Sequence, residues 1–192
     1  NLYFSIEPFR NFQIMLDGSY REITAADPEL FKINYVNKNG IEKSQVNDAR
    51  ASLVLTYRPG ARFAEYGVDR NTIKTLSPTF TLRYTKGISG FFKSDFNYDK
   101  LQFSYRHPIL IGNMGRSDVS FEAGTIFGSV PLSLMNVLPG NQSYFSIPNT
   151  FAQLNFYEFV TDSYTTLFWE HHFNGWIFNK VPLLKKLKLR EV

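Results

Sequence analysis

Cysteine is absent from the 192 residues, so neither a disulfide framework nor a thiolate metal site is available. The absence suits export through an oxidising compartment, although many cytosolic proteins also lack cysteine. Long apolar runs are missing too: Lys, Arg or Asp interrupts each hydrophobic stretch short of the ~18 residues a membrane helix needs. If this chain crosses a membrane it does so with strands, because a closed barrel is the other structure that satisfies every backbone group in lipid. Charge of one sign is scarce. The 21 Lys and Arg face 17 Asp and Glu, and the bases are scattered instead of striped. That argues against a nucleic-acid partner.

Aromatic residues are plentiful at 17%, with 19 Phe and 11 Tyr, while mean hydropathy is only −0.23. A barrel wall hides alternate residues from water, so a modest mean is what it would show. The dominant pattern is period-two alternation. Phe12, Ile14, Leu16 and Tyr20 alternate with Gln13, Asp17, Ser19 and Arg21. The same holds for Leu53, Leu55 and Tyr57, for Phe80, Leu82 and Tyr84, and for Leu101, Phe103 and Tyr105. Val119, Phe121 and Ala123 follow, then Leu167, Trp169 and Phe173, then Leu187 and Leu189; Asn1 to Ser5 also read as strand. One face is apolar and aromatic, the other polar and often charged.

In a soluble sandwich the apolar face meets a core; in a barrel it meets lipid. Three features favour the barrel. Asp99–Leu110 and Arg116–Phe127 run about 12 residues, against a soluble mode of about 5–6, and about 10 tilted residues cross an apolar band. Tight connections at 7–11 and 111–115 alternate with long polar excursions at 24–47 and 128–161. Aromatics gather near strand ends, and Tyr20, Tyr57, Tyr84, Tyr164, Phe173 and Trp176 are expected at the membrane–water interfaces. The expectation is an all-β, antiparallel transmembrane β-barrel. Residues 1–192 form a partial arc of eight or nine strands, with 128–161 as an extracellular loop. Segment 58–78, with a strand-like stretch at 61–66, is read as a periplasmic connection.

Chemistry is sparse. Glu170, His171 and His172 suggest a metal site, but neighbouring strand residues point to opposite faces, so the two histidines cannot share an ion. No motif couples a serine to a histidine, and Gly87-Ile88-Ser89-Gly90 precedes a strand, not the helix a phosphate loop requires. No catalytic residue, metal or cofactor is expected. What the polar face offers is a lumenal network of Arg106, Glu122, Glu170, His172 and Arg190, with Glu158 or Asp162 supplying an acid to a lumenal base. The basic and apolar run 181–190 reads as an interfacial helical turn or as a solvated basic turn.

From Thr79 onward the chain resembles the barrel of a bacterial outer-membrane family that carries an N-terminal carboxypeptidase-regulatory-like domain. Its C-terminal part is a domain of unknown function, similar to barrels of the BamA-type insertase and surface-antigen superfamily. The residues that carry the likeness include Tyr84-Thr85-Lys86-Gly87-Ile88, Tyr157-Glu158-Phe159-Val160-Thr161-Asp162, Glu170-His171-His172-Phe173-Asn174-Gly175 and the run from Phe178 to Lys188. The resemblance implies a barrel of about 16 strands, of which this chain is a portion, in the bacterial outer membrane. It implies outer-membrane lipids, and other outer-membrane or periplasmic proteins, as partners. The expected role is a non-enzymatic scaffold, conduit or assembly factor for protein or lipid. A passive pore for small solutes and a soluble ligand-binding sandwich are the alternatives. In the insertase relatives the loop corresponding to 128–161 folds into the lumen and carries a Val-Arg-Gly-aromatic motif. Here Gly140-Asn141-Gln142-Ser143-Tyr144 stands in that place without an Arg.

Overall fold

Alternating residues form strands because the two faces of a pleated chain meet different surroundings, and β-branched and aromatic side chains fit that half-buried surface. The computed structural model describes all residues but 26–28, 30–31, 38–39, 67–68, 73–75, 181, 183–185 and 187–192; for 65–66, 69–72 and 179 it describes the backbone alone. Strands β1 (Leu2–Phe9), β2 (Phe12–Thr24), β5 (Gln45–Tyr57), β8 (Thr79–Gly87), β9 (Tyr98–Leu110), β10 (Arg116–Phe127) and β13 (Ser163–His172) form one sheet. Each pairs antiparallel with the strand before it in that order, so the sheet is an up-and-down meander. β9 and β10 are 13 and 12 residues long, as the runs at 99–110 and 116–127 predict, and β2 and β5 also reach 13.

The sheet holds seven strands against the eight or nine expected. Segment 58–78 is not among the seven, in line with its reading as a connection. It folds on itself as β6 (Phe63–Tyr66) and β7 (Asp69–Thr72), while β5 pairs directly with β8. It is therefore a connection and not a strand of the main sheet. The alternation at Leu187 and Leu189, and the basic run around it, lie outside the described residues. Two further short pairs occur in connections: β3 (Tyr35–Val36) with β4 (Glu42–Lys43), and β11 (Asn136–Val137) with β12 (Val160–Thr161).

Parity places the connections. Turns 10–11 and 111–115, the 58–78 hairpin and the stretch after His172 lie at one end of the sheet. The connections 25–44, 88–97 and 128–162 lie at the other. At that second end Val46, Tyr98, Ile126 and Leu134 form a small buried cluster, with Ile23, Ile33, Tyr35, Phe96 and Val130 packed around it. Register puts Ile23, Val46, Tyr98 and Ile126 on the face of the sheet that carries Arg50, Lys100 and Glu122. The loops thus fold onto the polar face.

Candidate functional site

Register sorts every strand residue onto one of two faces. The apolar face carries an unbroken aromatic row running Phe12, Tyr57, Phe80, Tyr105, Phe121 and then Leu167 across six strands. Successive rings from Phe12 to Tyr105 lie 6.4, 6.5 and 5.0 Å apart. Its large side chains stay open, with Phe4 63% exposed, Leu16 53%, Leu167 63% and Trp169 73%, while the small Ala49 is buried at the loop end.

A polar border crosses the apolar face toward the loop end and runs obliquely, with Phe127 beyond it on β10. On β2 and β5 it is Glu22 with Asn47, on β8 and β9 Lys86 with Asp99, and on β10 and β13 Thr125 with Ser163. The Lys86 ammonium sits 2.7 Å from Asp99, which also accepts from the Tyr84 hydroxyl, and Thr125 and Ser163 hydrogen-bond at 2.8 Å.

The opposite face is a hydrogen-bonded polar surface. At its centre Asp48, fully buried, accepts from Arg21 at 2.9 Å and from the Tyr98 hydroxyl at 3.0 Å, with Arg50 4.0 Å away. Ser52 and Thr85 pair at 3.0 Å beside it. Two tyrosines reach across cross-strand glycines. Tyr98 covers Gly87 and Tyr164 covers Gly124, so closely that a Cβ would meet the rings at 2.2 and 2.6 Å. Glycine lets each ring lie down on the sheet and aim its hydroxyl at a carboxylate: Asp48 for Tyr98, Glu122 at 2.6 Å for Tyr164.

The 128–162 connection lies over this face. Its β11–β12 pair is extended by the Leu138 amide donating to Phe159 at 3.1 Å, and a Gly140–Phe151 bridge holds its middle. Phe151 docks on Phe168 of the polar face at 4.7 Å between centroids. Beneath it remains a cavity of about 330 Å³, bounded by Lys100, Arg106, Glu122 and Tyr164 from the sheet and by Asn136 and Asn149 from the loop.

Arg106 and Glu122 therefore share one site, as the alternation predicts. Glu170 and His172 form a second cluster nearer the turn end, with His172 2.8 Å from Glu170 and 4.0 Å from Asp118, which Arg116 holds at 2.6 Å. His171 parts to the other face, between Ser117 at 2.6 Å and the Met114 carbonyl at 3.1 Å. No cluster of three or more metal-ligating side chains occurs among the described residues. Glu158 accepts from the Asn155 amide at 2.8 Å within its own loop, and Asp162 is held through its carbonyl by the Ile126 amide. Neither carboxylate is ion-paired to a described base, and Arg190 lies outside the described residues. Tyr20, Tyr57 and Tyr84 stand on the apolar face, and Phe173 stacks on Trp176 at 6.5 Å under the Lys180 ammonium just beyond β13.

Tyr164 corrects an expectation. It is not an interfacial ring but part of the polar face, because it is an odd number of residues from Leu167 and Trp169 and so points opposite to them. Asp48, Arg21, Arg50 and Tyr98 were not among the expected network. The signal was available in Asp48-Ala49-Arg50-Ala51-Ser52, where polar residues recur at every second position.

The loop end has its own polar tie. Asp95 accepts from the Tyr35 hydroxyl at 2.8 Å and from Lys43 at 2.5 Å, joining the 25–44 and 88–97 connections. Burial pushes the Asp95 carboxyl up, but Lys43 and Tyr35 more than offset this and hold it below its ordinary value. Burial, followed by the neighbouring Asp95 carboxylate, raises the Tyr35 hydroxyl well above its own.

Fold and site together define an all-β chain: an antiparallel meander with one bare apolar face and one polar face under folded loops. The chain belongs to the DUF5686 family of unknown function, whose C-terminal domain matches residues 10–192. No curated protein and no solved structure matches it.

Proposed function

We propose that this chain forms an arc of the wall of a bacterial outer-membrane β-barrel, acting without chemistry of its own as a scaffold, conduit or assembly factor for protein or lipid. The observation that carries the reading is the inversion of burial. A soluble sheet hides its apolar face and wets its polar one. Here the apolar face is bare and the polar face lies under loops, the arrangement suited to lipid outside and a filled lumen inside.

The oblique border gives independent support. From the β2–β5 pair to the β10–β13 pair it drops by about six residues over four strand-to-strand steps. At about 3.3 Å per residue and about 4.8 Å between strands, that is a slope of about 45°. Strands of membrane barrels tilt by about 35–45°, so a flat membrane surface would trace such a diagonal across their register. In this reading the edges of β1 and β13, unpaired in the sheet among the described residues, pair with further wall strands, as backbone groups in lipid must. The partners are then outer-membrane lipids, with periplasmic or outer-membrane proteins as the cargo-side contacts. The loop seated over Glu122 and Phe168 favours a plugged barrel over a passive pore.

Cysteine scanning of the full chain in isolated outer membranes tests this. Cysteines at Phe103, Phe121 and Leu167 should resist a water-soluble maleimide and react with a membrane-soluble one, while those at Gln102, Ser120 and Glu170 show the reverse or no preference for the membrane-soluble reagent. Uniform labelling by the water-soluble reagent on both faces would sink the reading.

A further inference from the structure

The connection between β8 and β9 departs from the residues its backbone would favour. Phe91 to Ser94 close a two-residue turn, the Ser94 amide donating to the Phe91 carbonyl at 2.9 Å. Its central residues, Phe92 and Lys93, both lie in the left-handed region, with φ +46° and +61°. Asn and Gly are the usual occupants of such positions, because a Cβ is strained there and a bulky ring more so. Strain of this sort persists where the side chain is needed in that place.

The place is specific. Phe91 and Phe92 pack edge to face at 4.5 Å, and Phe92 turns back onto Tyr20 at 5.5 Å. Tyr20 is the last ring of the apolar face on β2, and its register partner Ala49 is buried, 2% exposed. The turn thus continues the apolar face from Tyr20 by two rings that stay 56% and 63% exposed. Asp95 and Phe96, the next along the chain, go to the opposite face to join Tyr35. Lys93 is left exposed at the tip.

We infer that the 90–94 turn is an interfacial anchor, seating Phe91 and Phe92 at the boundary of acyl chains and headgroups in a lipid bilayer with Lys93 among the headgroup phosphates. The inference rests on the membrane reading of the apolar face. Rings continuous with a lipid-facing surface gain from the acyl boundary, and a lysine stem lies along apolar surface while its ammonium reaches the anionic layer.

The test uses the full chain in phosphatidylcholine–phosphatidylglycerol vesicles whose phosphatidylcholine carries bromine at a shallow or a deep acyl position. With every other tryptophan replaced by Phe, one tryptophan is kept at native Trp169 or introduced by F92W or F91W. Native Trp169 should be quenched by brominated lipid, reporting the apolar face. The F92W fluorophore should be quenched at least two-fold, more by shallow than by deep bromine, and shielded from aqueous iodide. F91W reads the same ring pair should F92W fail to fold, and quenching at either position upholds the anchor. If Trp169 is quenched while both turn positions are open to iodide and indifferent to bromine, the anchor is wrong and the membrane face stands. If Trp169 is also indifferent, the membrane reading fails and the anchor fails with it.

Discussion

Replacing Asp48 tests whether the polar face is held by its central charge cluster. Asp48 is fully buried, and its carboxylate is the shared acceptor of Arg21 at 2.9 Å and the Tyr98 hydroxyl at 3.0 Å, with Arg50 at 4.0 Å. Removing one partner of a buried ion pair costs about 3–5 kcal/mol, because the other charge is left without compensation. The stranded partners here are not fully buried: the Arg21 and Arg50 side chains are 39% and 30% exposed and can turn to water. That screening lowers the expected cost of D48A to about 2–3 kcal/mol. Asp48→Asn keeps an oxygen for Tyr98 and loses the charge, so it should cost less, about 1–2 kcal/mol. R21A removes the more exposed partner while Arg50 remains, and should cost about 1 kcal/mol. Equilibrium urea unfolding of the refolded full chain in detergent, followed by tryptophan fluorescence and electrophoretic mobility, gives the ranking. A D48A protein within about 0.5 kcal/mol of wild type, or one no weaker than D48N, would refute the reasoning.

Gly87→Ala and Gly124→Ala push a methyl into the rings of Tyr98 and Tyr164 and should each destabilise by about 1–3 kcal/mol in the same unfolding experiment. Gly18→Ala, whose methyl would meet nothing nearer than 3.9 Å, serves as the control and should stay within about 0.5 kcal/mol. Phe151→Ala frees the 128–162 connection from Phe168, a half-buried ring contact, so its amides should exchange hydrogen about ten-fold faster, a loss of about 1.4 kcal/mol, while β9 and β10 amides keep their protection. The Asp95 tie has a pH window set by its shifts. Asp95 is held below its ordinary value, so its contribution is present above pH ~4 and lost as pH falls through the folded value; Tyr35 is raised, so its contribution is present below pH ~10 and lost as pH rises. Exchange protection in 41–45 and 88–97 should fall at both limits, and Asp95→Asn should flatten the acid limb.

How much was legible depended on which distances the sequence encodes. Period-two alternation is a property of one strand, so the faces of β2, β5, β8, β9, β10 and β13 could be read directly, and Arg106, Glu122, Glu170 and His172 fall together on the polar side. Tyr164 was legible as well and was missed: assigning it by closeness to a strand end ignored its parity relative to Leu167. Asp48 was within reach through the same rule. Other features depend on pairs of strands. That Gly87 lies opposite Tyr98, and Gly124 opposite Tyr164, follows from register, and nothing within either strand fixes it before the loop lengths and neighbouring pairs do. The fold of 128–162 is further out of reach. Its anchors are single contacts such as Phe151 on Phe168 and short pairs two residues long, too brief to leave a periodic trace.

A sandwich half and a barrel wall make opposite demands on the same alternating strand, and the side on which the loops fold is what supports the proposed wall. In a sandwich half, loops have no reason to bury Val46, Ile126 and Tyr98 against charged neighbours, because the free energy of burial lies on the apolar side. In this chain the loop-end cluster of Val46, Tyr98, Ile126 and Leu134 sits on the side that also carries Arg50, Lys100 and Glu122, while Phe4 and Trp169 on the other side stay 63% and 73% exposed. Burying those polar groups without partners would be costly, and the structure meets that cost locally, with Asp48 under Arg21 and Tyr98, and Glu122 under Tyr164. If the sheet is a barrel wall, as proposed, the 128–162 connection seated on its polar face through Phe151 and Phe168 would obstruct the path that a passive pore needs. Channel recordings on the reconstituted full chain should therefore show little conductance until the Phe151 contact is removed, and large steady currents from the unaltered protein would return the passive pore to first place.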